Sequence, residues 1–182
     1  MTLPAFHLPT ALANYSRQAA QEQAVVQRFL DLLKHPDAYQ RSHLPGHITG
    51  SAFIVSPDHL QTLLVHHAKL NRWLQPGGHC DGDEVVTRVA LREGEEETGL
   101  LTLRLDSSNI FDLDIHPIPQ RKDFPAHDHY DVRFLVYGNP SEAIVVSEES
   151  FDVRWVALSR LEDFSREASV LRMRSKLPAI NV

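Results

Sequence analysis

The chain has a single cysteine, Cys80, among 182 residues. An internal disulfide is excluded, and this usage fits a reducing cytoplasm. No apolar run approaches the roughly 18 residues that a membrane-spanning helix needs. The opening stretch, MTLPAFHLPTALANYSRQ, lacks a basic region and a continuous apolar segment, so no signal peptide is expected. Positive charge is scarce as well: 18 Lys and Arg stand against 24 Asp and Glu, a net charge of −6. That balance argues against a nucleic-acid partner or an anionic membrane surface. Repeats and low-complexity segments are missing too. The composition is otherwise ordinary, 42% hydrophobic and 23% charged, and the length suits one domain with its own core.

Residues 10–35 carry Leu12, Tyr15, Ala19, Val26, Phe29 and Leu33 at near-helical spacing. This predicts one amphipathic helix, stopped at His35-Pro36. Its apolar stripe docks on the core or on a second copy of the chain, which leaves a homodimer open. From Gly46 the pattern turns to short β-rich segments. Strands are predicted over 48–55 and 60–67, around the turn Ser56-Pro57-Asp58, with a short one at Trp73-Leu74. Phe111, Leu113 and Ile115 alternate with polar residues as in a half-buried strand. Further strands are predicted over 130–137, 143–146 and 153–158. Ser159 with Glu162 reads as a capping box, and a last helix is expected over 166–176. The pattern alone implies mixed α and β with a substantial mixed sheet.

The chemistry gathers in residues 76–100, PGGHCDGDEVVTRVALREGEEETGL. A glycine-rich turn runs into a helix expected to start near Asp83, with Asp81 and Glu84 as a capping pair, and to end at Gly99. Val86, Val89 and Ala90 share one stripe, and two turns later that stripe becomes Glu93, Glu96 and Glu97. Like charges at these spacings repel, and they sit at the negative end of the helix dipole. Taken alone they fit a solvated helix face, with Arg92 and Glu96 as a surface pair. A divalent cation that prefers oxygen would equally compensate them. Gly77 and Gly78 favour the second reading, because they let backbone approach a ligand closely enough for a carbonyl to join the carboxylates.

The run Gly78, Glu84, Arg92-Glu93, Glu96-Glu97 and Gly99-Leu100 resembles the Nudix box, G-x5-E-x7-R-E-U-x-E-E-x-G-U, where U is a bulky aliphatic residue. One position departs: Gly94 stands where the family has an aliphatic side chain. A glycine inside a helix costs about 1 kcal/mol relative to alanine and removes a packing contact there. The resemblance implies an α/β/α sandwich around a mixed sheet and hydrolysis of a nucleoside diphosphate linked to another moiety X, a Nudix pyrophosphohydrolase. Residues 45–165 would form the Nudix domain, with an N-terminal helical segment over 1–44 and a C-terminal helix over 166–182 packed on it. It also implies Mg²⁺ or Mn²⁺ held by Glu93, Glu96, Glu97 and the carbonyl of Gly77. Arg92 would hold the carboxylates in place, and Glu84 would support the loop or an outer metal shell.

Residues outside the box choose the substrate, a nucleotide-derived small molecule. Arg72 and His79 beside the glycine turn, His129 and Arg133 are candidates for substrate contact, with His66 and His67 nearby. His127 and His129 with His116 fit a zinc cluster or a polar strand end beside phosphate or base, and their spacing matches no compact ligand motif. Trp73 and Trp155 read as core residues, and Cys80 as a passive thiol. Glu149, or else Glu148, stands in a loop before the strand holding Trp155, where the resemblance places a general base. A Nudix-fold regulatory module that binds without hydrolysis is the alternative, and the intact carboxylates Glu93, Glu96 and Glu97 favour the enzyme. An isomerase of isoprenoid diphosphates would need a cysteine facing the allylic carbons, and Cys80 lies in the wrong stretch.

Overall fold

The computed structural model describes residues 6–121 and 124–178. Its spine is strand β1 (Gly46–Val55), buried along its whole length. Alternate residues of a strand point to opposite faces, and here the two faces meet different layers. Ile48, Ala52 and Ile54 join one apolar core, with Leu8 and Leu12 of helix α1 (Leu8–Gln18), Phe29 of α2 (Gln23–Leu32), and Val86 and Val89 of α3 (Val86–Thr98). Phe53 and Val55 join a second core with Val170 and Met173 of α4 (Ala168–Lys176). Helices therefore cover both faces of the sheet.

The sheet is mixed, as the order of elements predicts. β1 runs parallel to β7 (His127–Tyr137), from Gly46 opposite Asp128 to Val55 opposite Tyr137. The other pairings are antiparallel. β1 pairs with β2 (Gln61–His67) at one end and with β4 (Gly77–His79) at the other. β2 also takes β3 (Arg72–Leu74) and β8 (Ser150–Ala157). β7 takes β5 (Arg104–Leu105) and β6 (Asp112–Ile118). No helix among the described residues is long and apolar enough to cross a membrane.

Several expected elements are differently built. The single leading helix is two helices, broken at Ala19 (φ −119°, ψ 63°) and joined by a 3₁₀ turn over Ala20–Glu22. Glu22 turns back there to accept the Tyr15 hydroxyl at 2.7 Å, and no Pro or Gly marks the break. α3 starts at Val86, without a side-chain cap. Asp81 is drawn off to Arg41, while Asp83 accepts the Val85 N–H at 2.9 Å and holds Arg88. Gly99 does end the helix in the left-handed conformation, at φ 73°. Residues 143–146 form no strand. Val145 instead donates its N–H to the Thr98 carbonyl (2.9 Å), closing the end of α3. Ser159 caps nothing; residues Leu158–Asp163 form a 3₁₀ turn, and Glu162 accepts Arg174 at 2.6 Å. The last helix begins at Ala168.

Gly94 has a packing reason. A Cβ placed on it would lie 2.8 Å from Leu103 Cδ1 and 3.5 Å from Ile54 Cδ1. Leu103 thus reaches in from the following loop and fills the volume that an aliphatic residue at position 94 would take. Gly94→Leu alone should therefore destabilise by about 1–3 kcal/mol through overpacking. Adding Leu103→Ala should recover most of that loss, and the coupling can be read from urea midpoints of the two single variants and the double variant.

Candidate active site

α3 approaches β1 closely because Gly50 has no side chain: a Cβ there would stand 2.9 Å from Val86 Cγ1. The buried stripe of the helix then runs on beneath the glycine turn. Glu97 Oε1 accepts the Gly77 N–H at 3.0 Å. The Glu93 carboxylate lies over Gly78, where a Cβ would come within 2.5 Å of its carboxyl carbon. Arg92 ties the two pieces together, donating to the His79 carbonyl at 2.9 Å and pairing with Glu93 at 3.0 Å. Gly77, Gly78, Arg92, Glu93 and Glu97 are thus brought together. Glu96 is set apart: its side chain is 59% exposed against 15% for Glu93, and it lies 3.8 Å from Arg92.

Burial raises the pKa of Glu97 to about 8; the Gly77 N–H opposes the shift, and the charges of Glu93, Glu149 and Glu96 add to it. Burial also raises Glu93, with Arg92 working against it. Among the described residues the ion pairs of this cluster run from Arg92 to Glu93 and Glu96, and none reaches Glu97. A largely buried carboxylate with one N–H and no cation partner among the described residues suits a hard divalent ion, and Glu93 beside it would supply further oxygens. The donor set fits Mg²⁺ or Mn²⁺.

Glu149 precedes β8 with its side chain 69% exposed and 3.9 Å from Lys69, yet its charge is felt at both Glu93 and Glu97. Arg72 is exposed and pairs with Glu167 at 3.0 Å. His66 stacks on Trp73 with ring centroids 4.8 Å apart. Burial pushes the Cys80 thiol up, out of the reactive range. A surface depression lined by Pro57, Arg104, Tyr137 and Asn139 lies at the far end of β1 and β7 and holds none of these carboxylates.

Arg133 is not free for the substrate contact expected of it. It points away from the apolar face, as the alternation predicts, but that face is covered: its side chain is 2% exposed. It pairs with Asp131 at 2.7 Å, Asp114 at 3.1 Å and Asp112 at 3.2 Å, and donates to the Ser169 carbonyl at 3.0 Å. Arg172 and Lys176 of α4 reach the same Asp112. The guanidinium is spent on pinning β6, β7 and α4 together.

The register shows what alternation could not. Across β1, β7 and β6 the same face carries the rows His47–His129–His116, Thr49–Asp131–Asp114 and Ser51–Arg133–Asp112. His79 of β4 lies opposite Thr49, and its ring centroid is 5.2 Å from that of His47 and 5.0 Å from that of His129. His47 drew no attention in the sequence because its partners are about eighty positions away. Burial lowers the pKa of His79 to about 4 and of His129 to about 2, so both rings are neutral at pH 7.

Comparison with known proteins agrees with this architecture. The sequence matches the NUDIX domain over residues 46–175. No curated protein matches it. A Clostridium perfringens hydrolase of the NUDIX family superposes with a TM-score of 0.53 at 25% identity, over 71% of this chain and 95% of that one. The C. elegans Ap4A hydrolase superposes at 0.57 and 18% identity, over 71% and 93%. The NUDIX domain of Shewanella oneidensis NrtR, solved with ADP-ribose, gives 0.53 and 18%, over 71% and 84%. With the family's domain spanning most of its length and Glu93 and Glu97 of the box gathered under the glycine turn, the chain belongs to the Nudix family of pyrophosphohydrolases.

Proposed function

We propose that the chain is a metal-dependent hydrolase that cleaves the diphosphate linkage of a nucleoside diphosphate joined to another moiety. The observation that carries this reading is Glu97, buried beside Glu93 under the glycine turn without a cation partner among the described residues. Mg²⁺ or Mn²⁺ would be held by Glu93, Glu97 and the Gly77 carbonyl, with Glu96 completing the set from its exposed position. When bound, such an ion neutralises diphosphate charge and makes its water more acidic. The chain's own groups do the rest. Arg92 fixes Glu93, and the Gly77 N–H aims Glu97. Substrates related to Ap4A or ADP-ribose, the compounds named for two structural relatives, are the first to try.

The proton of the attacking water needs an acceptor not committed to metal. Glu149 takes that role in this reading, with Glu148 as the alternative. Glu149→Gln should depress kcat by roughly 10²–10⁴-fold and change KM little. If neither glutamate variant loses more than a few-fold, the acceptor is in the box, with Glu93 the first suspect. The reading as a whole is tested with nucleotide sugars, dinucleotides, ADP-ribose and nucleoside triphosphates, each with Mg²⁺ or Mn²⁺. Saturable binding without released phosphate species from any of them would make the chain a sensor and not a hydrolase.

A further inference from the structure

Three imidazoles gather on the face of the sheet opposite α3. His47 of β1 and His129 of β7 are cross-strand partners, and His127 lies two residues before His129 on the same face. One ring nitrogen from each lies within 4.8 Å of the other two. His127 Nε2 and His129 Nε2 are 3.2 Å apart. A zinc ion holds nitrogen at about 2.0–2.1 Å, which puts tetrahedral ligand atoms roughly 3.3 Å apart. Closing on an ion would draw His47 in from the 4.8 Å within which the three ring nitrogens lie.

The outer contacts fix which nitrogens face inward. His127 Nδ1 lies 2.9 Å from the Pro125 carbonyl, and His47 Nδ1 lies 3.3 Å from the His43 carbonyl. A carbonyl only accepts, so each Nδ1 carries the proton and each Nε2 presents a lone pair. Backbone carbonyls orient metal-binding histidines in this way. A single proton on His129 Nε2 can satisfy His127, but His47 Nε2 is then left bare, and it is buried without a hydrogen-bond partner in a residue that is 0% exposed. Burial holds His47 and His129 in the neutral form that binds metals. Arg41, whose charge is felt at His47, is itself engaged by Asp81.

We propose that His47, His127 and His129 bind one Zn²⁺ or a similar borderline transition-metal ion, at a site separate from the carboxylates of the box. All-nitrogen ligation selects such an ion over Mg²⁺, which prefers oxygen. Three protein ligands leave a fourth position open to water or to a group of the substrate. His79 flanks the cluster and His116 stands beyond His129, with ring centroids 5.0 and 5.5 Å from that of His129. His116 belongs to a different contact, its Nδ1 3.0 Å from Asp114. This inference does not depend on hydrolysis.

The test is a titration of the chelator-treated full chain with Co²⁺ and Zn²⁺. Tetrahedral Co²⁺ reports itself by visible absorption, and Zn²⁺ should displace it. One equivalent is expected in the wild type and in Glu97→Gln. His129→Asn and His127→Gln should each lose at least about tenfold in affinity. Melting curves in metal-free buffer check that the variants fold, and His129, the least buried of the three, carries the test if His127 proves indispensable to folding. Failure of the wild type to take up Co²⁺ or Zn²⁺ at micromolar concentration would overturn the proposal. So would uptake that survives both histidine variants but is lost in Glu97→Gln, because the ion would then sit at the box.

Discussion

Glu97→Gln is expected to reduce turnover at least about a hundredfold and to leave the fold intact. Losing an outer-shell partner of a metal ligand already costs roughly 10–100-fold, and losing the ligand itself should cost no less. Gln is isosteric and can still accept the Gly77 N–H that Glu97 accepts at 3.0 Å. The variant should also reshape the stability profile. A carboxyl raised from 4.5 to about 8 on folding holds its proton more tightly in the native chain than in the unfolded one. Its contribution is fully present below pH 4.5 and is lost as pH rises toward and through 8. Without metal, the wild-type Tm should therefore fall across that window, and Glu97→Gln should fall less. Millimolar Mg²⁺ or Mn²⁺ should raise the wild-type Tm, since the ion binds the native cluster and not the unfolded chain. Near-normal hydrolysis by the variant at saturating metal would remove Glu97 from the ligand set.

The largest loss of stability is expected from Arg133→Met. The change leaves Asp112 and Asp131, both buried, and Asp114 without their shared guanidinium. Breaking a buried ion pair by removing one partner costs about 3–5 kcal/mol. At this chain length that corresponds to a Tm roughly 6–20 °C lower. Arg133→Lys should recover only part, because one ammonium cannot match the planar fork that meets the carboxylates. Burial works to raise Asp114, but the His116 contact and the Arg133 charge overcome it and hold its carboxyl below the usual range. That contribution is present above its ordinary pKa of 3.8 and is lost as pH falls below it, so Arg133→Met should blunt the acid unfolding of the wild type. A variant that melts like the wild type yet binds substrate poorly would restore Arg133 to the phosphate.

By itself the sequence determined the family, the box and the local frame around it. Glu93 and Glu97 fall on the stripe that Val86, Val89 and Ala90 begin, and Gly99 ends the helix in the left-handed conformation. These are consequences of the helical period and of glycine's freedom, both local along the chain. The strand pattern was legible for the same reason, except where an apolar run closes another element, as Val145 does on the end of α3. The break at Ala19 lacked any local marker, since Glu22 and Tyr15 fix it through a side-chain contact. Tertiary structure alone decided the fate of the charged and imidazole residues. Alternation gives the side of a strand but not its neighbour, so Arg133 read as free until β6 placed Asp112 and Asp114 beside it. Likewise His127 and His129 had only His116 as a third partner until the parallel register set His47 opposite His129. Parallel pairing joins segments far apart in the chain, and no period within either segment encodes which residue faces which.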